Sequence, residues 1–292
     1  MGDLVLRPPR MTRRQFLKGA AITSVASALA GSYARFVEPF WVEYLALPMP
    51  VRNLPASFKG FRITHLTDLH VTDSVSAKHI QGVIDRINLD KPDIVVVTGD
   101  LITASVSKLG PVIELMSLLS PRVLVCLGNH DYGAYRNERD KVRPAADRLL
   151  VRGLREVGCI VLRNESHCIE RSDGRLWFVG LEDWALGPFD ADAALANVLR
   201  DEPTIVLSHN PDSGPTLDRP GVDWILSGHT HGGQVRLPLL GPPLLPVSNK
   251  QWDQGEFQLQ HAKLFVSPGA GYLWQVRFNC RPQVITFTLE PA

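Results

Sequence analysis

The sequence predicts an α/β fold in which sheets are flanked by helices. Apolar runs of strand length alternate with segments of helical periodicity along the chain, which is the pattern of sheets covered by helices. Polar groups follow several of these runs, and ligands of open α/β sheets bind beyond the carboxyl ends of strands.

The predicted strands are short and mostly apolar. The segment 36–47, which mixes aromatic and aliphatic residues, suits an edge strand, and 61–67 suits a strand that ends before a polar group. Continuous apolar runs, typical of central strands covered on both faces, occupy 94–97, 123–127, 205–207 and 224–226. In the C-terminal third we expect strands at 264–267, 275–278 and 284–289.

Helical periodicity is clearest between the first two apolar runs. One face of a helix that ends near Pro92 is formed by Ile80, Val83, Ile84 and Ile87, whose i, i+3, i+4, i+7 spacing predicts packing on a sheet. Further helices are predicted at 112–119, 145–157 and 191–199. With 45% hydrophobic residues, residues 35–292 are expected to form one domain with a full core.

The first 34 residues predict a twin-arginine export signal. Thr12-Arg13-Arg14-Gln15-Phe16-Leu17-Lys18 precedes an alanine-rich apolar stretch over 19–30, which is shorter than the ~20 residues of a membrane-spanning helix. Cleavage is expected near Ala30 or Ala34, and the alternatives are retention as an N-terminal anchor or a basic helix of a cytosolic protein. We therefore expect the twin-arginine export machinery as a partner and a location in the periplasm, the cell wall or on the outer face of the cytoplasmic membrane.

Charge and cysteine content restrict the other classes of partner and site. A net charge of +1 provides no case for a basic surface that binds nucleic acid, so none is expected as a partner. The four cysteines have no C-x-x-C spacing and are interpreted as buried or free thiols. Cys159 and Cys168 flank a predicted hairpin and could pair in an oxidising compartment.

Five short polar motifs follow predicted strands in order along the chain. They are Asp68-Leu69-His70, Gly99-Asp100, Gly128-Asn129-His130-Asp131, Ser208-His209-Asn210 and Gly228-His229-Thr230-His231. Any one of them could be a turn or a hydrogen-bonded core residue. Together they supply carboxylate, imidazole and amide ligands without a thiolate, which suits hard or borderline divalent ions. The glycines allow the backbone to bring these ligands close together.

This ordered set resembles the calcineurin-like metallophosphoesterase family from about Phe61 to the end of the chain. With the N-terminal signal, it is also similar to exported bacterial phosphodiesterases, including relatives that act on UDP-diacylglucosamine. The resemblance implies a four-layer α/β/β/α sandwich of two mixed sheets that binds two divalent ions, manganese being favoured over iron, zinc and magnesium. By resemblance, Asp68, His70 and His231 bind the first ion, Asp100 bridges, and Asn129, His209 and His229 bind the second.

The resemblance further implies a hydrolase of phosphoesters. A hydroxide that bridges the ions attacks phosphorus in line. His130 contacts the phosphate and protonates the leaving oxygen, while Asp131 orients that imidazole and raises its basicity. We expect a phosphodiesterase of the cell envelope. The alternatives are a phosphomonoesterase, a pyrophosphatase of the UDP-diacylglucosamine type and a non-catalytic metal-binding scaffold.

Residues outside the motifs give weaker indications. His65 lies within a predicted strand and is expected in the core, while Arg236 and Arg277 are either surface residues or partners of a substrate phosphate. Residues 237–245, rich in leucine and proline, follow the last motif. We expect a proline-stiffened loop packed on its own domain. The alternative is an apolar lip that contacts lipid, with a lipid-linked substrate and peripheral membrane contact.

Overall fold

Two six-stranded mixed sheets lie face to face and helices cover their outer faces, which gives four layers in the order α/β/β/α. The computed structural model describes residues 12–72, 75–103, 106–133 and 146–292. The α/β sandwich expected from the sequence is confirmed.

The first sheet delivers three of the five motifs to one edge. Its strands are β1 (Glu43–Val51), β2 (Arg62–Leu66), β3 (Ile94–Thr98), β4 (Arg122–Cys126), β5 (Ile160–Val161) and β12 (Gln283–Pro291). Their order across the sheet is β1, β12, β2, β3, β4, β5. Strands β2 to β5 are mutually parallel, while β12 runs antiparallel to β2 and parallel to β1. The carboxyl ends of β2, β3 and β4 therefore share one edge.

The second sheet delivers the other two motifs. Its strands are β6 (Glu165–Arg171), β7 (Gly174–Gly180), β8 (Thr204–Leu207), β9 (Trp224–Ser227), β10 (Gly255–Gln258) and β11 (Lys263–Val266), in the order β10, β11, β9, β8, β7, β6. The four central strands are parallel, and each edge strand pairs in antiparallel with its neighbour. The alternation of apolar runs did not predict β6, β7 or β10.

Five helices pack on the sheets. Helices α2 (Ala77–Asp90), α3 (Leu109–Ser117) and α4 (Ala146–Glu156) cover the first sheet, and the short α5 (Ala191–Leu195) and α6 (Gly214–Leu217) lie on the second. The buried face of α2 consists of Ile80, Val83, Ile84 and Ile87, as its periodicity predicts. Helix α5 ends four residues before the predicted position 199, and Ala145 lies outside the described residues.

Strand β3 illustrates why the sheets place the motifs so firmly. All five of its residues are buried, because Val95 and Val97 pack under the helices while Ile94 and Val96 pack between the sheets. A strand covered on both faces is expected to be continuously apolar. Gly99 and Asp100 follow directly after its end and are still buried.

Helix α1 (Arg13–Phe36) extends from the body of the protein. Thr12 caps its first turn, and Ala34 is its buried residue. The backbone N–H of Arg277 donates to the Ala34 carbonyl at 2.9 Å, and the buried Glu38 carboxylate accepts from the backbone N–H of Cys280 at 2.5 Å. Contacts with the body thus begin at the C-terminal end of α1.

Within the described residues, no helix combines the length and the apolarity that are needed to cross a lipid bilayer. Residues 1–11 of the predicted signal lie outside the described part of the chain. The export route, the cleavage site and the boundary at residue 34 stay predictions.

Three local predictions differ from the structure: two of them concern strands and the third concerns a cysteine pairing. The edge strand predicted over 36–47 begins only at Glu43, because α1 and a 3-10 turn (Glu38–Phe40) occupy the preceding residues. The strand predicted at 275–278 is wrong. Its backbone N–H groups bind outside a sheet: that of Arg277 donates to α1, and that of Phe278 donates to the Gln234 carbonyl at 2.9 Å.

The pairing considered for Cys159 and Cys168 is also absent. All four cysteines are free thiols. Cys159 precedes β5 at the edge of the first sheet, whereas Cys168 lies within β6 of the second sheet. Since the two residues belong to different sheets, the hairpin that was expected to connect them does not form.

Candidate metal centre

The seven predicted metal ligands converge where the carboxyl ends of the two sheets meet. The motifs of the first sheet follow β2, β3 and β4, and those of the second follow β8 and β9. Two groups of ligand atoms, each spanning no more than 4.8 Å, consist of Asp68, His70 and His231, and of Asp100, His209 and His229. Asn129 joins the second group.

The first group is compact and buried. The Nε2 atoms of His70 and His231 are 3.0 Å apart, and the Asp68 Oδ1 atom lies 3.4 Å from the Nε2 atom of His231. The His70 Nδ1 atom lies 2.8 Å from the Thr103 hydroxyl, which is positioned to accept a proton there and leave the Nε2 lone pair directed at the group.

The second group surrounds one nitrogen atom. The Nε2 atom of His209 lies 3.2 Å from each of three ligand atoms: the Oδ2 atom of Asp100, the Oδ1 atom of Asn129 and the Nδ1 atom of His229. The same Asp100 Oδ2 atom is 3.4 Å from the Nε2 atom of His70 in the first group. This oxygen lies between the groups, as a bridging ligand must.

The tautomers of the second group leave lone pairs without donors. The Nδ1 atom of His209 donates to the Thr98 carbonyl at 2.7 Å, and the Nε2 atom of His229 donates to the Pro246 carbonyl at 3.2 Å. The opposite ring nitrogens are therefore free to present lone pairs: Nε2 of His209 faces the Asp100 and Asn129 oxygens, and Nδ1 of His229 faces Nε2 of His209. Four acceptors that converge in this way repel one another unless a cation lies among them, so the donor set fits a divalent metal ion.

The pKa shifts within the buried cluster also suit a metal site. Burial lowers the pKa of His70 to about 3 and that of His229 to about 4, which keeps both rings in the neutral form that binds metals. Burial would also lower the pKa of His209, but the nearby Asp100 carboxylate raises it to about 10. Although burial raises the pKa of Asp100, the His209 charge holds that pKa well below its usual value.

The backbone of the ligand turns is strained. Asp68, His70, Asp100, His229 and His231 all have positive φ angles, between 46° and 70°. Residues with a Cβ rarely adopt this left-handed conformation, and they persist in it where the surrounding structure imposes it, commonly at functional sites. Five ligands in this conformation indicate that the turns are built around the cluster.

Two glycines of the motifs are required by close approach. A Cβ atom at Gly128 would lie 2.2 Å from the Oδ1 atom of Asp100, and one at Gly228 would lie 2.2 Å from the Oδ2 atom of Asp68. Any side chain there would displace a carboxylate of the cluster. The predicted role of the motif glycines in bringing ligands together is thereby confirmed at both positions.

His130 lies beside the two ligand groups and belongs to neither. Its backbone N–H donates to the Oδ1 atom of Asp100 at 2.9 Å, and its ring stands edge-on to the His70 ring with centroids 5.0 Å apart. The ring is partly exposed, and its Nδ1 atom is buried without a hydrogen-bond partner among the described residues. Its predicted part in proton transfer stays a prediction.

Asp131 does not orient the His130 imidazole, so that prediction is wrong. The Asp131 carboxylate accepts from four backbone N–H groups: Oδ2 from Asp100 and Gly128, and Oδ1 from Leu101 and Ile102, at 2.8–3.2 Å. These donors occupy the accepting positions of both oxygens. Asp131 instead fastens the turn after β3 to the turn after β4.

The two arginines considered as partners of a substrate phosphate have other contacts. Arg277, considered as a phosphate partner, is fully buried and donates to the carbonyls of Pro268 and Gly271 at 2.7 and 2.6 Å. It thereby shapes the segment that packs on Asp68, since a Cβ at Gly269 would lie 2.6 Å from the Asp68 Cβ. The small-residue run Pro-Gly-Ala-Gly was the available sequence signal. Arg236 is paired with Asp253 at 2.7 Å.

His65 is the expected core histidine. It is fully buried, and its Nε2 atom lies 2.7 Å from the hydroxyl of Thr98. The carbonyls of Thr98 and Pro246, which fix the tautomers of two ligands, had no signal in the sequence because backbone groups are common to every residue.

Two facing sheets with paired ligand groups at their strand ends define a metal-dependent phosphoesterase. The family described as calcineurin-like phosphoesterase matches residues 61–233, and the chain belongs to this family. It is therefore a hydrolase of phosphoester bonds, and two divalent metals are used in the family.

Relatives are similar over nearly the whole chain. The metallophosphoesterase YkuE of Bacillus subtilis is 34% identical over 292 aligned residues, covering 96% of this chain and 98% of that protein. The phosphodiesterase YaeI of Escherichia coli is 31% identical, covering 96% and 99%. The UDP-2,3-diacylglucosamine pyrophosphatase LpxG of Chlamydia trachomatis is 29% identical, covering 91% and 95%.

Proposed function

We propose that the protein is a metal-dependent phosphodiesterase of the cell envelope, with His130 as the proton donor. The observation that carries the proposal is the convergence of lone pairs on two adjacent positions that share one oxygen of Asp100. The similarity to the phosphodiesterase YaeI supports a diester substrate.

The residues would divide the chemistry among them. Asp100 would hold both ions, the first also held by Asp68, His70 and His231 and the second by Asn129, His209 and His229. When bound, the ions supply Lewis-acid activation of the phosphoryl group and of the attacking water. Manganese is the favoured ion, with iron, zinc and magnesium as alternatives for this oxygen and nitrogen donor set.

His130 would transfer the proton to the leaving oxygen. Its backbone is tied to Asp100 while its ring remains partly exposed beside His70, so a phosphoester at the cluster comes within reach of the ring. Because the Nδ1 atom is buried, we assign the transferable proton to Nε2. A neutral leaving alcohol needs this proton, which gives the residue its role in general acid catalysis.

The experiment that tests the activity is metal reconstitution with paired substrates. Chelator-treated protein would be reloaded separately with each of the four candidate metals and assayed on bis(p-nitrophenyl) phosphate and on p-nitrophenyl phosphate. We expect hydrolysis of the diester to depend on added metal and to exceed that of the monoester by about tenfold or more. No hydrolysis with any metal would refute the enzyme assignment, and a preference for the monoester would make the protein a phosphomonoesterase.

A nucleotide-sugar pyrophosphatase is the second candidate, because LpxG is similar over 91% of this chain. Such a substrate is lipid-linked, and its phosphoanhydride would occupy the same cluster. Hydrolysis of UDP-diacylglucosamine that exceeds hydrolysis of lipid phosphodiesters would favour this candidate.

Export by the twin-arginine route, with a location at the envelope, is part of the proposal. It is supported by the arginine pair at the start of α1 and by the exposure of that helix from the body. Cells that produce R13K/R14K protein should retain it in the cytoplasm, while the unchanged protein is recovered from the envelope fraction. Equal recovery of both from the envelope would contradict this route.

A further inference from the structure

Residues 237–245, named here the leucine loop, project from the protein beside the candidate metal centre. The loop closes on itself, because the backbone N–H of Leu237 donates to the Gly241 carbonyl and the N–H of Gly241 donates to the Leu237 carbonyl, both at 2.9 Å. Leu239 and Leu240 lie at the end of this turn and are 106% and 81% exposed, and Leu244 is 72% exposed. The expectation that the loop packs on its own domain is wrong for these three leucines.

The backbone of the loop makes this exposure more unusual. Leu239 has a φ angle of 67°, in the left-handed region that a branched, bulky residue rarely adopts and that costs free energy. A glycine or an asparagine would remove the strain, and a polar residue would remove the exposed apolar surface. A leucine that is strained and exposed at once indicates a function outside the folding of the loop itself.

The loop lies directly on the turn that carries two ligands of the candidate metal centre. The carbonyl of Pro246, the residue that follows the loop, accepts from the Nε2 atom of His229 at 3.2 Å. Pro242 packs so closely on the residues after His231 that a Cβ at Gly233 would lie 2.3 Å from the Pro242 Cβ. A molecule that covers the leucines therefore extends to the cluster, and one substrate molecule is able to occupy both.

The chemistry of the loop selects an apolar occupant. Residues 237–249 contain no charged side chain, and the first charge is Lys250, whose ammonium group donates to the Leu245 carbonyl at 2.8 Å. A further exposed apolar side chain, Trp274 (63% exposed), is tied to the segment just before the loop, since its carbonyl accepts from the Gln234 side chain at 2.9 Å. A protein partner would be expected to meet a polar rim with hydrogen-bonding side chains, whereas an acyl chain needs apolar contact alone.

We propose that the leucine loop, with Trp274, binds the acyl chain of a lipid-linked phosphoester while the phosphorus of the same molecule lies at the metal centre. The inference rests on the proposed phosphoesterase function and assigns its specificity to these residues. The loop adjoins His229 and His231, while the His130 ring stands beside His70. We place the acylated alcohol against the loop and the leaving group within reach of His130.

The test compares two soluble substrates that differ only in chain length. They are p-nitrophenyl phosphodiesters of glycerol, one bearing an acetyl and the other a hexanoyl ester. The variants are L239S/L240S and, as a second one with a smaller expected effect, L244S. The matched control is L89S/L199S, because Leu89 and Leu199 are 76% and 58% exposed on surfaces away from the loop. Circular dichroism and thermal unfolding establish that each variant is folded.

The ratio of kcat/KM for the hexanoyl over the acetyl ester decides the proposal. Each methylene that leaves water on binding contributes up to about fourfold in affinity, so we expect the unchanged protein to prefer the hexanoyl ester. The ratio should fall about tenfold in L239S/L240S and stay at its original value in L89S/L199S. An unchanged ratio in the loop variants, or an equal fall in the control, would overturn the assignment of the loop. Failure of the unchanged protein to hydrolyse even the acetyl ester would instead refute the proposed phosphodiesterase function.

Discussion

The two sheets contribute different chemistry to the candidate metal centre. The first sheet supplies both carboxylates, the amide and one imidazole, from Asp68, His70, Asp100 and Asn129, whereas the second supplies three imidazoles, from His209, His229 and His231. The negative charge that would attract cations therefore comes from one sheet, and imidazole nitrogen atoms of the other would complete the coordination. Neither sheet alone has the ligands of a two-metal site.

The two sheets are also fixed to one another by hydrogen bonds at the candidate metal centre. His209 of the second sheet donates to the Thr98 carbonyl at the end of β3, and the backbone N–H of His229 donates to the Asp68 carboxylate at 3.1 Å. Ligands of the second sheet thus take their orientation from the first. The centre is a property of the packing between the sheets.

The largest effect is expected when the shared carboxylate of Asp100 is removed. D100N should lose both metals and reduce turnover by on the order of 10³-fold or more, since two-metal charge stabilisation is worth several kcal/mol. H229A in the second sheet should lose one metal and keep the other. Metal content by mass spectrometry distinguishes the two, with D85N on the exposed face of α2 as the control. Equal metal loss in D100N and H229A would contradict the asymmetry between the sheets.

A second pair of variants distinguishes the roles of His130 and its neighbour Asn129. H130A should keep both metals and reduce turnover of a diester with a poor leaving group by ~10²-fold, the range of general acid catalysis. N129A should lower the affinity for the second metal by about tenfold or more. Metal titration and steady-state kinetics of the two variants measure this. Unaffected turnover in H130A would show that its assigned role is wrong.

Metal binding should weaken as the pH falls. In the metal-free protein, Asp100 raises the pKa of His209 to about 10 against the effect of burial, and burial raises that of Asp68 to about 7. From about pH 8 to about pH 6 His209 must lose a proton to bind an ion, and below about pH 7 Asp68 must lose one as well. The affinity should therefore fall about tenfold per pH unit above pH 7 and more steeply below it. Calorimetric titration of chelator-treated protein with Mn²⁺ measures the slope. An affinity that is independent of pH would exclude proton displacement from these ligands.

The smallest effect is expected for Asp131, whose carboxylate connects the turn after β3 to the turn after β4. D131N replaces an oxygen by an N–H₂ group, so that two of the four backbone N–H donors lose their acceptor. Each unsatisfied buried donor costs about 1–3 kcal/mol, and the free energy of unfolding should fall by at least about 2 kcal/mol. Denaturant unfolding beside D85N measures the loss. A stability equal to that of the control would mean that the turns are held in another way.

Much of the framework could be predicted because its signals are local. The four valine- and isoleucine-rich runs predicted central strands, and each ends beside a ligand in the structure. The helical spacing from Ile80 to Ile87 predicted the buried face of α2. Strand β7 was missed although it is central in its sheet and carries a continuous apolar run from Leu176 to Val179.

Other outcomes depended on partners that are distant in sequence. Asp131 was expected to act on its neighbour His130, but its carboxylate is saturated by N–H groups about thirty residues away in the turn after β3. Arg277 read as a surface or phosphate-binding residue, yet its guanidinium is enclosed by backbone carbonyls. In both cases, hydrogen-bonding capacity was visible in the sequence and the partner was not.

By itself, the sequence determined the inventory and order of the chemistry: which strands end in polar turns, and which carboxylate, imidazole and amide groups those turns carry. The division of seven of them into two ligand sets, with His130 outside both, came from the resemblance to the family. Only the tertiary structure decided that one oxygen of Asp100 faces both groups, that Asp131 serves the backbone and that Leu239 points into solvent. The physical reason is the separation of the interacting residues along the sequence. Periodicity and residue type report local preference, whereas shared ligands, saturated carboxylates and exposed leucines depend on distant residues that meet when the two sheets pack.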